Sequence, residues 1–266
     1  MFKKIKVFHE VPFELLELSI DFTDGDYCLP HLLDQNETYR NYFYKAKTKS
    51  RYIIMDNSLH ELGTAYNTDR LLYWINELKP NEFIVPDVWE NKTQSIINAR
   101  KWASIQLPEE ITKVAVVQFN FITDAIECYQ TYKDLGYKKI AFSYGASCYN
   151  LISSHPNKDM GKALGRIELI SKLYKNRIIS STDRVHLLGC AVPQEFGWYD
   201  GMPFIESIDT SNPVMAGIEG KYYTAKGLTT KPMVNMNMVQ DEEIDKDIID
   251  IIKTNINLFR FVNNLK

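Results

Sequence analysis

Six short apolar runs in this sequence each end on residues that can do chemistry. Asp56 follows Ile53-Ile54-Met55, Asp87 follows Ile84-Val85-Pro86, and Gln118 follows Val116-Val117. Ser143, Tyr144 and Gly145 follow Ala141-Phe142, Gly189 follows His186-Leu187-Leu188, and Asp209 follows Ser207-Ile208. An ionised aspartate can attack an anomeric carbon through a transition state resembling an oxocarbenium ion. A second carboxylate can carry the proton that a leaving base needs. A third can accept N1–H and the exocyclic amine of a guanine-like base, while a glutamine amide donates to its O6. Glycines let a flat ring approach the backbone closely. Taken singly, an aspartate after a strand also reads as an N-cap or turn residue. Three carboxylates and an amide at one mouth read as a site.

Bringing them to one mouth requires a particular set of elements. Short apolar runs alternate with helical stretches, the pattern of parallel strands joined by crossover helices. Eight strands are expected, at Ile5–His9, Tyr27–Leu33, Tyr52–Met55, Phe83–Val85, Val114–Val117, Lys139–Phe142, Val185–Leu188 and Phe204–Ile208. The second is interrupted by Pro30, which cannot donate to a ladder. Helices are expected from Thr68 to the stop at Pro80, from Thr93, from Thr123 to Gly136, from Gly165 to Tyr174, and from Glu242 to Phe261. Pro193 suits the first turn of a short helix. The fold class is therefore α/β, a single (β/α)8 TIM barrel over residues 1–266, with 241–266 as the closing helix. In such a barrel the C-terminal ends of the strands carry the active site. The segment Asn150–Lys162 reads as a long polar loop suited to a lid.

The 31 basic and 34 acidic residues give a net charge of −3, so no global attraction draws in a phosphate backbone. A nucleic-acid partner then needs a local patch. The candidates are Lys45, Lys47, Lys49 and Arg51, and separately Lys221, Lys226 and Lys231; a solvated loop is the alternative. The four cysteines, Cys28, Cys128, Cys148 and Cys190, show no C-x-x-C spacing. Neither a zinc knuckle nor a redox motif is written, and a reducing cytoplasm is expected. No signal peptide or membrane span is read, and no metal or cofactor is expected.

At the strand-end residues the chain resembles the tRNA-guanine transglycosylase superfamily, most closely its small phage-type relatives that install 7-deazaguanines in DNA. The resemblance runs from about Tyr52 to about Pro213, one motif per consecutive strand. It implies that Asp209 is the nucleophile and Asp56 the acid/base. It also implies that Asn57, Ser58, Asp87, Gln118, Ser143, Tyr144, Gly145, Leu188 and Gly189 bind the base. Asn57 and Ser58 stand where the family has serine and glycine. Phe119 and Asn120 replace glycines after Gln118, and Tyr144 is bulkier than its counterpart. No cysteine follows Cys190, so the family's three-cysteine, one-histidine zinc site has no ligands here. That shifts the expected substrate from tRNA toward DNA or a free guanine nucleotide. The incoming partner is a free base such as preQ0 or preQ1, and a homodimer is among the family's habits. A glycosidic-bond hydrolase and a non-catalytic binding barrel are the competing readings.

Of the histidines, His186 reads as a packed residue behind the site, while His9 and His31 fall near the ends of the first two strands. Glu61 reads equally as an ordering residue of the Asp56 loop or a solvated one. The aromatic pairs Phe119/Phe121 and Tyr222/Tyr223 read as core or as stacking surfaces.

Overall fold

The computed structural model describes residues 5–224 and 244–265. Eight parallel strands form one sheet: β1 Lys6–Phe8, β2 Asp26–Cys28, β3 Ile53–Met55, β4 Glu82–Ile84, β5 Thr112–Val117, β6 Lys139–Ser143, β7 Val185–Leu188 and β8 Ile205–Asp209. The ladder order is β1-β8-β7-β6-β5-β4-β3-β2. From β2 to β8 each strand therefore pairs with its sequence neighbour, and β1 pairs with β8, as in a (β/α)8 barrel. β1 and β2 share no ladder. Loop groups bridge the seam: Asp24 N–H donates to the Val7 carbonyl at 2.9 Å, Val7 N–H to Asp24 Oδ2 at 2.8 Å, and His9 N–H to Thr23 Oγ1 at 3.2 Å.

The helices are α1 Leu16–Ser19, α2 Pro30–Gln35, α3 Glu37–Thr48, α4 Leu59–Leu62, α5 Thr68–Leu78, α6 Lys92–Ser104, α7 Ile122–Asp134, α8 Tyr149–Ile152, α9 Lys158–Lys175, α10 Asn212–Ile218 and α11 Lys246–Val262. Local chemistry sets many of their starts. The Asn67, Asn91 and Asn157 side chains accept first-turn amide protons, replacing partners the helix cannot supply. α5 then buries Leu71, Trp74, Ile75 and Leu78 at helical spacing, and each such aliphatic side chain contributes about 1.5–3 kcal/mol. Among the described residues no helix is long and apolar enough to cross a membrane.

Three expectations are corrected. The second strand is only Asp26–Cys28, not Tyr27–Leu33, because Pro30 opens α2. Proline fits there, since its missing N–H is one that a first helical turn leaves unpaired anyway. The long loop at Asn150–Lys162 shrinks to five residues, 153–157, between α8 and α9. The Asn157 side chain accepts from Met160 N–H at 3.0 Å and starts α9 well before Gly165. The closing helix begins at Lys246, capped by Asp245, whereas residues 241–243 lie outside the described residues.

The barrel interior is polar along one line. Glu82 on β4, Lys139 on β6 and Ser207 on β8 are fully or almost fully buried. These strands are not ladder neighbours, so side chains that touch must point inward. Alternate strands supply one interior layer of such a barrel, and here the even strands supply this one. Lys139 Nζ donates to both Glu82 oxygens, at 2.9 and 2.6 Å, and to Ser207 Oγ at 2.6 Å.

Candidate active site

The loop after β3 builds the first wall. β3 is wholly buried, and Asp56 N–H continues its ladder to the Cys28 carbonyl at 2.8 Å. Ser58 then takes a left-handed conformation, φ 58°, which is uncommon for a residue with a Cβ. That turn points Ser58 N–H back at Asp56 Oδ2, 2.9 Å away, while the Tyr27 hydroxyl donates to Oδ1 at 3.0 Å. Ser58 is itself fully buried and behind the wall, its hydroxyl 2.8 Å from His31 Nδ1. Burial, and after it the charge of Asp209, raises the Asp56 pKa from 3.8 to about 7.

Three residues from successive loops lock the second wall. Asn57 Nδ2 donates to Asp87 Oδ1 and Gln118 Nε2 to Asp87 Oδ2, both at 2.6 Å. Gln118 Oε1 accepts Glu90 N–H at 2.9 Å, which fixes the amide orientation. Burial raises the Asp87 pKa to about 6 despite these two donors. The Gln118 amide group has a second N–H beside the Asp87 carboxylate, so acceptor and donor stand side by side.

The third wall comes from β6, β7 and β8. His186 Nε2 lies 2.9 Å from Asp209 Oδ1, and Gly189 N–H reaches Oδ1 and Oδ2 at 3.2 and 3.3 Å. Gly189 has φ 59°, and a Cβ there would lie 2.4 Å from the Tyr144 ring, so this turn needs glycine. Fully buried Arg166 holds the turn from outside, donating to the Leu188 and Gly189 carbonyls at 3.0 and 2.9 Å and pairing with Glu195.

These walls line a cleft whose empty space, taken out to its open mouth, is about 760 Å³. Asp56, Asn57, Asp87, Gln118, Ser143, Tyr144, Leu188, Gly189 and Asp209 all line it. Ser58 and Gly145 do not. Ser58 sits behind Asp56, and Trp89 covers Gly145 so closely that a Cβ would lie 2.2 Å from its ring. Neither any protein-family model nor any curated protein matches the chain. Its chemistry is therefore read from this geometry.

The wall also holds residues that the strand-end pattern did not supply. Glu10 follows β1 just as the aspartates follow other strands, and the same positional rule finds it. Tyr27, His60 and Trp89 carry no such signal, because an isolated aromatic has no period to read. Glu61 lines the cavity as well, so among the described residues five carboxylates and no lysine or arginine face it. Among the described residues no three His, Cys, Asp or Glu side chains are grouped to hold a metal ion. His9 is buried against the Thr210 carbonyl, and that burial lowers its pKa to about 4. All four cysteines are buried thiols outside any disulfide.

The Lys45–Arg51 run is not part of the site. It lies where α3 enters β3, at the N-terminal end of the barrel, opposite the mouth. Lys45 pairs with Glu17, Arg51 with Asp26, and Lys47 donates to the Lys79 carbonyl. Lys221 pairs with Glu219, while Lys226 and Lys231 lie outside the described residues. Phe119 and Tyr223 are buried, and Phe121 and Tyr222 are exposed.

Proposed function

We propose that the protein is a transglycosylase that exchanges guanine on a nucleoside unit for a 7-deazaguanine base such as preQ0 or preQ1, retaining the sugar configuration. The observation that carries this reading is that Asp56 and Asp209 face one cavity with different hydrogen-bond surroundings. Asp209 accepts two N–H donors, an environment suited to a carboxylate nucleophile. Asp56 titrates near neutrality, as a group that gives and then takes one proton should. In the first half-reaction Asp209 attacks C1′, the bond from C1′ to the base nitrogen breaks, and the Asp56 proton goes to the leaving base. In the second, ionised Asp56 takes the proton of the incoming base, whose nitrogen attacks C1′ and releases Asp209. Asp87 and Gln118 hold the base edge, with Tyr144 and Leu188 against its face.

The strand-by-strand resemblance to the guanine transglycosylases supports the same assignment, and their small DNA-acting members make DNA the favoured substrate. The test is incorporation of labelled guanine into DNA, tRNA and dGMP in parallel, with wild type and Asp209→Asn. Exchange into one substrate by wild type alone is expected. Equal exchange by the variant overturns the mechanism, and release of free base without incorporation points to a hydrolase.

A further inference from the structure

Behind Asp209 runs a buried chain of polar groups, of which the chemistry above uses only the last, His186. Lys139 Nζ has three acceptors, the two Glu82 oxygens and Ser207 Oγ. Ser207 Oγ in turn lies 2.8 Å from His186 Nδ1, and His186 Nε2 lies 2.9 Å from Asp209 Oδ1. Glu82, Ser207 and His186 have no exposed surface, and Lys139 almost none.

The direction of these bonds follows from counting protons. An ammonium is donor only, and three acceptors use its three N–H groups. Ser207 Oγ therefore accepts from Lys139, and its own proton goes to His186 Nδ1. Nδ1 is then bare, and the ring proton sits on Nε2, facing Asp209. The opposite direction puts a bare Nε2 against a carboxylate oxygen, two acceptors in contact. An imidazolium would add its Nδ1–H to the Lys139 donor already on Ser207 Oγ and leave the hydroxyl proton without an acceptor.

We infer that Lys139, Ser207 and His186 form a one-way hydrogen-bond relay that fixes the His186 tautomer and keeps Nε2–H on Oδ1 of Asp209. This deepens the transglycosylase reading and rests on it for its catalytic meaning. Oδ1 receives the His186 and the nearer Gly189 contacts, so Oδ2 is the oxygen that bonds to C1′. In the glycosyl ester Oδ1 becomes the carbonyl oxygen, and the same Nε2–H remains on it. When the C1′–Oδ2 bond breaks, the electron pair returns to a carboxylate whose donors are already in place. No proton travels along the relay. His186, Ser207 and Lys139 are positioning residues, in the way a buried partner sets the tautomer of a catalytic histidine.

The test is two-bond proton–nitrogen NMR of the whole protein labelled in its histidine rings, with the His186 signals assigned by His186→Gln. Wild type should show a protonated Nε2 and a bare Nδ1. Ser207→Ala leaves Lys139 paired with Glu82, removes the donor to Nδ1, and should give a mixture of tautomers. Ser207→Thr keeps the hydroxyl and should restore the single tautomer. In the guanine-exchange assay Ser207→Ala should lower kcat about ten- to a hundred-fold with little change in KM, and Ser207→Thr should recover most of it. A proton on Nδ1 in wild type overturns the relay, as does an unchanged tautomer in Ser207→Ala even where activity falls. A wild type that exchanges no base overturns the transglycosylase reading alone, since the NMR result stands without turnover.

Discussion

Asp209 and Asp56 lie on one cavity wall system, and the negative charge of the first helps to hold a proton on the second. Burial is the larger cause and the Asp209 charge the next; together they bring the Asp56 pKa to about 7. In the proposed reaction, departure of the base requires the protonated form of Asp56. Single-turnover release of guanine, measured without an incoming base, should therefore fall as pH rises through about 7. Asp56→Asn should flatten that profile at a rate lower by about 10²–10⁴-fold. An unaltered pH dependence in the variant removes Asp56 from proton transfer.

The same shift is a stability statement. The folded pKa of Asp56 lies above its ordinary 3.8, so the native state holds an extra proton between about pH 4 and about pH 7. This group's contribution to stability falls as pH rises through that window, and its full cost stands above pH 7. Asp87, raised to about 6, adds a narrower effect of the same sign. Urea unfolding of wild type and Asp56→Asn at pH 5 and pH 8 checks this. The difference should move in the variant's favour by about 2–3 kcal/mol at the higher pH. A constant difference contradicts the burial of a titrating carboxyl.

Gly189→Ala should damage the site more than the fold. The left-handed backbone costs about 1–2 kcal/mol with any Cβ, and the methyl must displace the Tyr144 ring from 2.4 Å. The Gly189 N–H would then leave Asp209. Thermal unfolding should show a modest drop in Tm, while exchange falls mainly in kcat. A variant with normal kcat would show that this N–H does not matter to Asp209.

Arg166→Met should be costly. Glu195, fully buried and paired with Arg166, would lose its cation, and such an orphaned charge costs about 3–5 kcal/mol. Adding Glu195→Gln should recover part of the loss. Denaturant unfolding of the two single variants and the double closes the cycle. A single-variant cost within about 0.5 kcal/mol contradicts a role for the pair in holding the Gly189 turn.

The sequence by itself determined the alternation of strands and helices, hence the barrel, and the strand-end positions of Asp56, Asp87, Gln118, Gly189 and Asp209. Both are local: a buried parallel strand is a short apolar run, and the residue that stops the run lies at the barrel mouth. The second strand misled because Leu29 to Leu33 is equally apolar as strand or helix, and Pro30 decided for helix. Which side chains meet was settled only by tertiary structure. Lys139 begins a strand and nothing in the local pattern says which way it points; closure of the sheet turns it inward onto Glu82 and Ser207. Ser58 is expected on the base, yet its left-handed turn buries its side chain behind the wall and directs its backbone N–H to Asp56. Trp89 and Tyr144 shape the cavity through contacts with Gly145 and Gly189 on other loops. Such partnerships depend on strand stagger and barrel closure, which join residues far apart in the chain and leave no mark on the local pattern of either.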